Sequence, residues 1–174
     1  MPLISISATQ CMGKTTLVND FIKKWPIYNT PIKTYRDILK SKNLPNNDKT
    51  TPETQDAILD SMIEAQKPYN REKDYVVFDR CPLDALVYTL WAFAKGLDGF
   101  TEEYMESYIS RVREAMRAYD IMFYIPMTKF NPTIEEKELR SSDPKYREEI
   151  DNLFKTLVEA KLKEDNTFFD SSDC

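Results

Sequence analysis

Apolar positions along the chain change their spacing in an orderly way. Leu3-Ile4-Ser5-Ile6-Ser7 mixes branched apolar and small polar residues as a strand does. After a short turn, Leu17, Phe21 and Ile22 recur at helical spacing until Pro26 closes the helix. Pro31 to Arg36 reads as a second short strand, followed by a brief helical turn near Asp37 to Lys42 and a loop from Asn43 to Thr50. Thr51-Pro52-Glu53 is a helix start, because threonine caps exposed N–H groups and proline loses nothing in a first turn. Ile58, Leu59, Met62 and Ile63 then share one face up to about Pro68. Asp74 to Asp79 is a continuous apolar run ending in a charge, as expected of a central strand covered on both sides.

Beyond Pro82, residues Leu83, Leu86, Val87, Leu90, Trp91 and Ala94 form a helical stripe that stops before Gly96. A second stripe runs through Met105, Tyr108, Ile109, Val112, Met116 and Tyr119, and Ile121 to Ile125 predicts another buried strand. Pro126 to Asp143 lacks an apolar period and is expected to be mobile. Asp143-Pro144 opens a long last helix with Tyr146, Ile150, Leu153, Phe154, Leu157 and Val158 inside, and Thr167-Phe168-Phe169 suggests a final strand. Strands alternating with helices predict a three-layer α/β domain over residues 1–174, with a central parallel sheet, right-handed crossovers and helices on both faces.

Composition narrows the function classes. The 174 residues include 41% hydrophobic and 30% charged side chains, enough to bury one substantial core. No run is long enough for a membrane span, and Cys11, Cys81 and Cys174 are too few and scattered for a disulfide framework, so a cytoplasmic protein is expected. A net charge of −5 argues against a protein devoted to neutralising a phosphate backbone. The absence of histidine removes Ser-His and Cys-His pairs, so a general base here is expected to be a carboxylate.

The chemistry concentrates in two places. Ala8-Thr9-Gln10-Cys11-Met12-Gly13-Lys14-Thr15-Thr16 fits the P-loop pattern, with alanine at the first glycine position, and lies between a strand and a helix as the motif demands. In such a loop, main-chain N–H groups of Gln10 through Thr16 surround phosphate oxygens at the positive end of a helix dipole, and Gly13 leaves room for close approach. Lys14 is expected on the β- and γ-phosphates of ATP, the Thr15 hydroxyl on Mg²⁺, and Thr16 on an α- or β-phosphate oxygen. Cys11 is expected to fill space. The second place is Asp79-Arg80, an acid and a base where a parallel strand ends, which is where open α/β sheets bind ligands.

With Val76-Val77-Phe78-Asp79-Arg80 following that loop, the chain resembles the thymidylate kinase and deoxynucleoside kinase branch of P-loop proteins. It also resembles small bacterial and phage kinases related to nicotinamide riboside kinases. The resemblance implies that Asp79 acts on the acceptor hydroxyl or helps to hold Mg²⁺, and that Arg80 contacts phosphate. It implies acceptor contacts for Arg36 in Thr34-Tyr35-Arg36-Asp37 and for Asp84 in Cys81-Pro82-Leu83-Asp84. It further implies a lid at about residues 127–147 that brings Arg140 and Arg147 to the phosphates. Tyr35, Tyr88 and Trp91 are candidates to stack a base.

The expected activity is γ-phosphoryl transfer from ATP with Mg²⁺ to a small-molecule nucleoside or nucleotide, with no membrane partner and a homodimer left open. One alternative is a kinase acting on hydroxymethylated deoxyuridine within DNA, as in phage relatives. Another is a nucleotide-dependent ATPase or regulatory module.

Overall fold

The computed structural model describes residues 1–32, 34–127 and 143–164. Its sheet has three parallel strands, β1 (Leu3–Ser7), β2 (Val76–Asp79) and β3 (Ile121–Tyr124), in the order β2-β1-β3. Ile4 is level with Val77 on one side and Ile121 on the other, and Ile6 with Asp79 and Phe123. Residues level with one another in a parallel ladder share a face, so Ile4, Ile6 and Val77 form one apolar layer. The helix α1 (Lys14–Lys24) covers that layer with Val18, Phe21 and Ile22.

The opposite face carries α4 (Pro82–Ala94), packed between α3 (Pro52–Gln66) and α5 (Glu102–Met116) on one flank and α6 (Pro144–Glu164) on the other. α2 (Tyr35–Lys42) packs on α3. Each start has a local cause. Thr51 Oγ1 accepts the Thr54 N–H at 3.3 Å with Pro52 in the first turn, and Thr101 Oγ1 accepts the Tyr104 N–H at 3.1 Å. The architecture is the expected three-layer α/β domain with parallel strands and helices on both faces.

Three expectations are corrected. The described residues between 31 and 36 do not form a strand: Thr34 and Asp37 make a capping box, in which Asp37 Oδ2 accepts from the Thr34 N–H at 2.8 Å and hydroxyl at 3.1 Å, and α2 begins at Tyr35. Among the described residues, pairing near that region is limited to an isolated bridge from Asn29 to Val76. The strand expected to be central, β2, therefore flanks β1, and its burial comes from α-helices and from Asn29, which bonds Tyr75 and Val77. β3 was expected to be buried, but Ile121 is 42% and Phe123 50% exposed, since α1 sits over β1 and β2. The expected strand at 167–169, and Cys174, lie outside the described residues.

Among the described residues no helix is long and apolar enough to cross a membrane. Phe154 is fully buried in the α4–α6 cluster and stacks on Tyr124 with centroids 5.4 Å apart. Phe154→Ala is expected to cost about 3–5 kcal/mol in urea unfolding, whereas Phe93→Ala on the exposed side of α4 changes stability by less than about 1 kcal/mol.

Candidate active site

The C-terminal ends of β1 and β2 meet the N-terminus of α1, and the residues singled out in the sequence gather there. After Ser7 the chain turns through Cys11 at φ 62° and Gly13 at φ 76°, both in the left-handed region. Glycine suits Gly13 for that reason. A Cβ built there meets nothing within 4 Å, so the space above the loop is open. Gly13 caps α1, its carbonyl accepting the Leu17 N–H at 2.9 Å, and the first N–H groups of α1 are left facing the loop.

Lys14 is only 5% exposed and folds back over the loop. Its ammonium donates to the carbonyls of Ala8 at 2.8 Å and Thr9 at 2.6 Å. Burial first, then the neighbouring Arg80 guanidinium, push the Lys14 pKa down to about 7, against the pull of Asp84 and Asp79. Thr15, next along α1, donates its hydroxyl to Asp79 Oδ2 at 2.5 Å. The P-loop and the strand-end acid are thus in direct contact. Thr16 is exposed, while Gln10 is buried at the loop's base and borders a pocket.

Arg80 has φ 89°, an outlying conformation for a bulky side chain, and is 5% exposed. Its Nη1 donates to Asp84 Oδ1 at 2.9 Å, and it lies 5.6 Å from the ring centres of both Tyr35 and Tyr88. Asp84 is 1% exposed and fully engaged: its Oδ2 accepts from the Ser7 hydroxyl at 2.5 Å and the Cys81 N–H at 3.0 Å. Asp84 thus grips Arg80 from the side of β1, and it also borders the second of the pockets described below. Burial, then the Asp84 charge, push the Cys81 thiol up to about 12, so it stays protonated.

Arg147, in the first turn of α6, is 3% exposed and packs on the loop from the other side. Its Nη2 lies 3.8 Å from Met12 Sδ, and its carbonyl accepts from Thr9 Oγ1 at 3.5 Å. Among the described residues it has no carboxylate partner, and the Nε atoms of Arg80 and Arg147 are buried without a hydrogen-bond partner. Arg140 lies outside the described residues, as does most of the expected lid.

Two pockets open beside Arg80, and one of them also beside Asp79. One, enclosing about 540 Å³ of space open to solvent, is bordered by Tyr35, Arg36, Met62, Phe78, Asp79, Arg80 and Tyr119. The other, about 360 Å³, is bordered by the amides of Gln10, Asn46, Asn47 and Gln55, by Tyr35, Tyr88, Arg80 and Asp84, and by the apolar Ile58, Met62 and Ala85. Arg36 lies 5.2 Å from the Tyr35 ring, at the start of α2 rather than after a strand. Trp91 is not in this cleft: it packs edge-on to Tyr146 and donates Nε1–H to Glu149 at 2.8 Å. Sequence reasoning missed Ser7 and the amide group. The one available signal was Gln55, a polar residue on the apolar side of α3, where it donates to Thr50 at 2.8 Å and accepts from Thr89 at 3.3 Å.

A hydroxyl and a carboxylate in contact beside a phosphate-binding loop are hard oxygen donors of the kind Mg²⁺ takes, one or two from protein and the rest from phosphate and water. Among the described residues there is no group of three acidic, cysteine or histidine side chains that would hold a metal without such help. The donor set therefore fits Mg²⁺ bound with a polyphosphate. The buried cations fit the polyphosphate itself.

Comparison with known proteins agrees with this geometry. A family model described as "AAA domain" matches residues 3–163. No curated protein sequence matches the chain. Among solved structures, the NadR protein in complex with NR superposes with a TM-score of 0.66 at 17% identity, covering 92% of this chain and 41% of that one. Deoxyadenosine kinase from M. mycoides, with dCMP and a flexible dCDP bound, gives 0.67 at 16%, covering 92% and 85%. Thymidylate kinase from Candida albicans gives 0.63 at 11%, covering 92% and 79%. The chain spans about two fifths of the NadR chains it matches. It belongs to the AAA domain family, as a P-loop protein with the nucleoside and nucleotide kinase-like fold.

Proposed function

We propose that the protein is an ATP-dependent kinase that transfers the γ-phosphoryl group to a nucleoside or nucleotide. The observation that carries this reading is the 2.5 Å contact between Thr15 of the P-loop and Asp79, beside the two pockets that border Arg80. A P-loop alone suits any nucleotide-dependent switch, whereas a cleft next to the γ-phosphate position suits transfer to a second molecule.

Main-chain N–H groups of the loop and the start of α1 bind the triphosphate, and Lys14 exchanges its two carbonyl partners for the β- and γ-oxygens. Thr15 and Asp79 would hold Mg²⁺, which when bound neutralises charge on those oxygens. The acceptor hydroxyl oxygen forms the new bond to the γ-phosphorus as the bridging bond to ADP breaks, ADP leaving with the electron pair. Asp79 takes the hydroxyl proton. Arg80 and Arg147 complete their hydrogen bonding on the phosphates from opposite sides, which lowers the barrier because little covalent work is left to the protein. Tyr35, Tyr88 and the amides around Gln55 take the heterocycle.

Incubation with γ-labelled ATP, Mg²⁺ and a panel of nucleosides and nucleoside monophosphates tests this: labelled product from at least one is expected, and none from any counts against the reading. Hydroxymethyluracil-containing DNA in the same panel reads out the polymer acceptor, and hydrolysis without an acceptor reads out the switch. Lys14→Ala is expected to weaken ATP binding and turnover together. Asp79→Asn is expected to lower kcat by about 10² to 10⁴ with ATP affinity changed far less, and unchanged turnover would remove Asp79 from the mechanism.

The pH dependence follows from Lys14, whose pKa of about 7 without nucleotide is raised when phosphate oxygens surround it. Below pH 7 the lysine is charged in both states and affinity for ATP is level. Above it, binding must take up a proton, so affinity falls by up to about tenfold per pH unit. Calorimetry at pH 8 in buffers of different ionisation enthalpy is expected to show uptake of about one proton. Binding with no proton uptake would contradict the assignment.

A further inference from the structure

Ser7 takes no direct part in the transfer, yet it is fully buried at the end of β1 with its hydroxyl committed to one acceptor, Asp84 Oδ2 at 2.5 Å. Cys81 Sγ lies 3.3 Å from the same hydroxyl. On its other oxygen Asp84 receives Arg80 Nη1 at 2.9 Å. A continuous path therefore runs from the main strand of the sheet, through a serine and a carboxylate, to the guanidinium that borders both pockets.

Arg80 needs such support. Its backbone, at φ 89°, is held in a region bulky residues avoid, and its Nε has no partner among the described residues. A carboxylate turns easily about its last torsion, so an Asp84 gripped by Arg80 alone would follow the guanidinium rather than fix it. Donors on the far oxygen, the Ser7 hydroxyl and the Cys81 N–H, remove that freedom.

We propose that Ser7 and Asp84 are positioning residues: the Ser7 hydroxyl orients the Asp84 carboxylate, which fixes the Arg80 guanidinium for contact with the transferring phosphate. This rests on the kinase reading of the same site. Ser7 is the cleaner residue to change, because the Asp84 charge also acts on Lys14.

The test is a double-mutant cycle of Ser7→Ala with Arg80→Lys, the lysine keeping a cation opposite Asp84, with circular dichroism and thermal melts confirming that each variant folds. Ser7→Ala is expected to lower kcat about ten- to hundredfold, as loss of a hydrogen bond to a charged group does, with KM for ATP within about twofold of the parent. In the Arg80→Lys background, Ser7→Ala should add less than about twofold, since its effect passes through the guanidinium. Losses that multiply, or a Ser7→Ala enzyme with parental kcat, overturn the proposal. If Ser7→Ala does not fold, Asp84→Asn replaces it in the same cycle. If the parent transfers to no acceptor, the kinase reading fails, and the cycle is read on the ratio of ATP to ADP affinity instead. There, a preference for ATP lost in Ser7→Ala and not lost further in the double variant supports the positioning role, and independent losses overturn it. A parent that binds neither nucleotide overturns both.

Discussion

Three cations, Lys14, Arg80 and Arg147, are buried within a few residues of the P-loop, and the described carboxylates do not balance them. Asp84 is the one buried acid in contact with any of the three. Burying a charge is costly unless it is paired and hydrogen-bonded. Lys14 meets the cost with two main-chain carbonyls and a lowered pKa, Arg80 with Asp84 and two tyrosine rings, and Arg147 with a thioether sulfur. An excess of buried positive charge at the ends of parallel strands is a site built for an anion, and a polyanion satisfies all three at once.

Holding that excess in place explains features that otherwise look like local defects. Cys11 and Gly13 in the loop and Arg80 at the end of β2 all lie in the left-handed region, so backbone strain is concentrated at the P-loop and the strand end that faces it. The rest of the site braces them. α6 is tied to the loop through Thr9 and Met12, and Asp151 one turn further along α6 accepts from Tyr124 at 2.7 Å and from the Met127 N–H at 3.0 Å. The same helix that carries Arg147 therefore secures the end of β3, and the loop, the third strand and Arg147 form one mechanical unit.

Much of this arrangement was legible in the sequence because its strongest signals are local. The residues 8–16 carry their own geometry in the position of Gly13 and Lys14, and Asp79-Arg80 declares itself by ending an apolar run in opposite charges. What was misread depends on choices between local options. Pro31 to Arg36 has the composition of a strand, but Thr34 and Asp37 stand three apart and close a capping box, and that reciprocal bonding decides for helix. In β3 the apolar residues were visible, but which face is covered depends on where α1 lies across the sheet. Ser7 was illegible for a different reason: a serine in a strand is unremarkable until Asp84, 77 positions later, is brought against it.

On the proposed kinase reading, the position of Arg80 also bears on what an acceptor would look like. Tyr35, Met62 and Arg80 border both pockets, so they form the wall between a space that takes in Phe78, Asp79 and Tyr119 and a space that takes in Ile58, Ala85, Asp84 and the side-chain amides. Asp79 opens only onto the first. An acceptor whose hydroxyl reaches Asp79 while its ring reaches the amides must pass the Arg80–Tyr35 wall, where a cation and an aromatic face suit a sugar or phosphate more than a second ring. That geometry favours a molecule with a polar middle and a flat, amide-bearing end. It disfavours a long apolar acceptor, because such a chain would lie against the Arg80 guanidinium without offering it an oxygen, at a cost of about 1–3 kcal/mol for a polar group so buried.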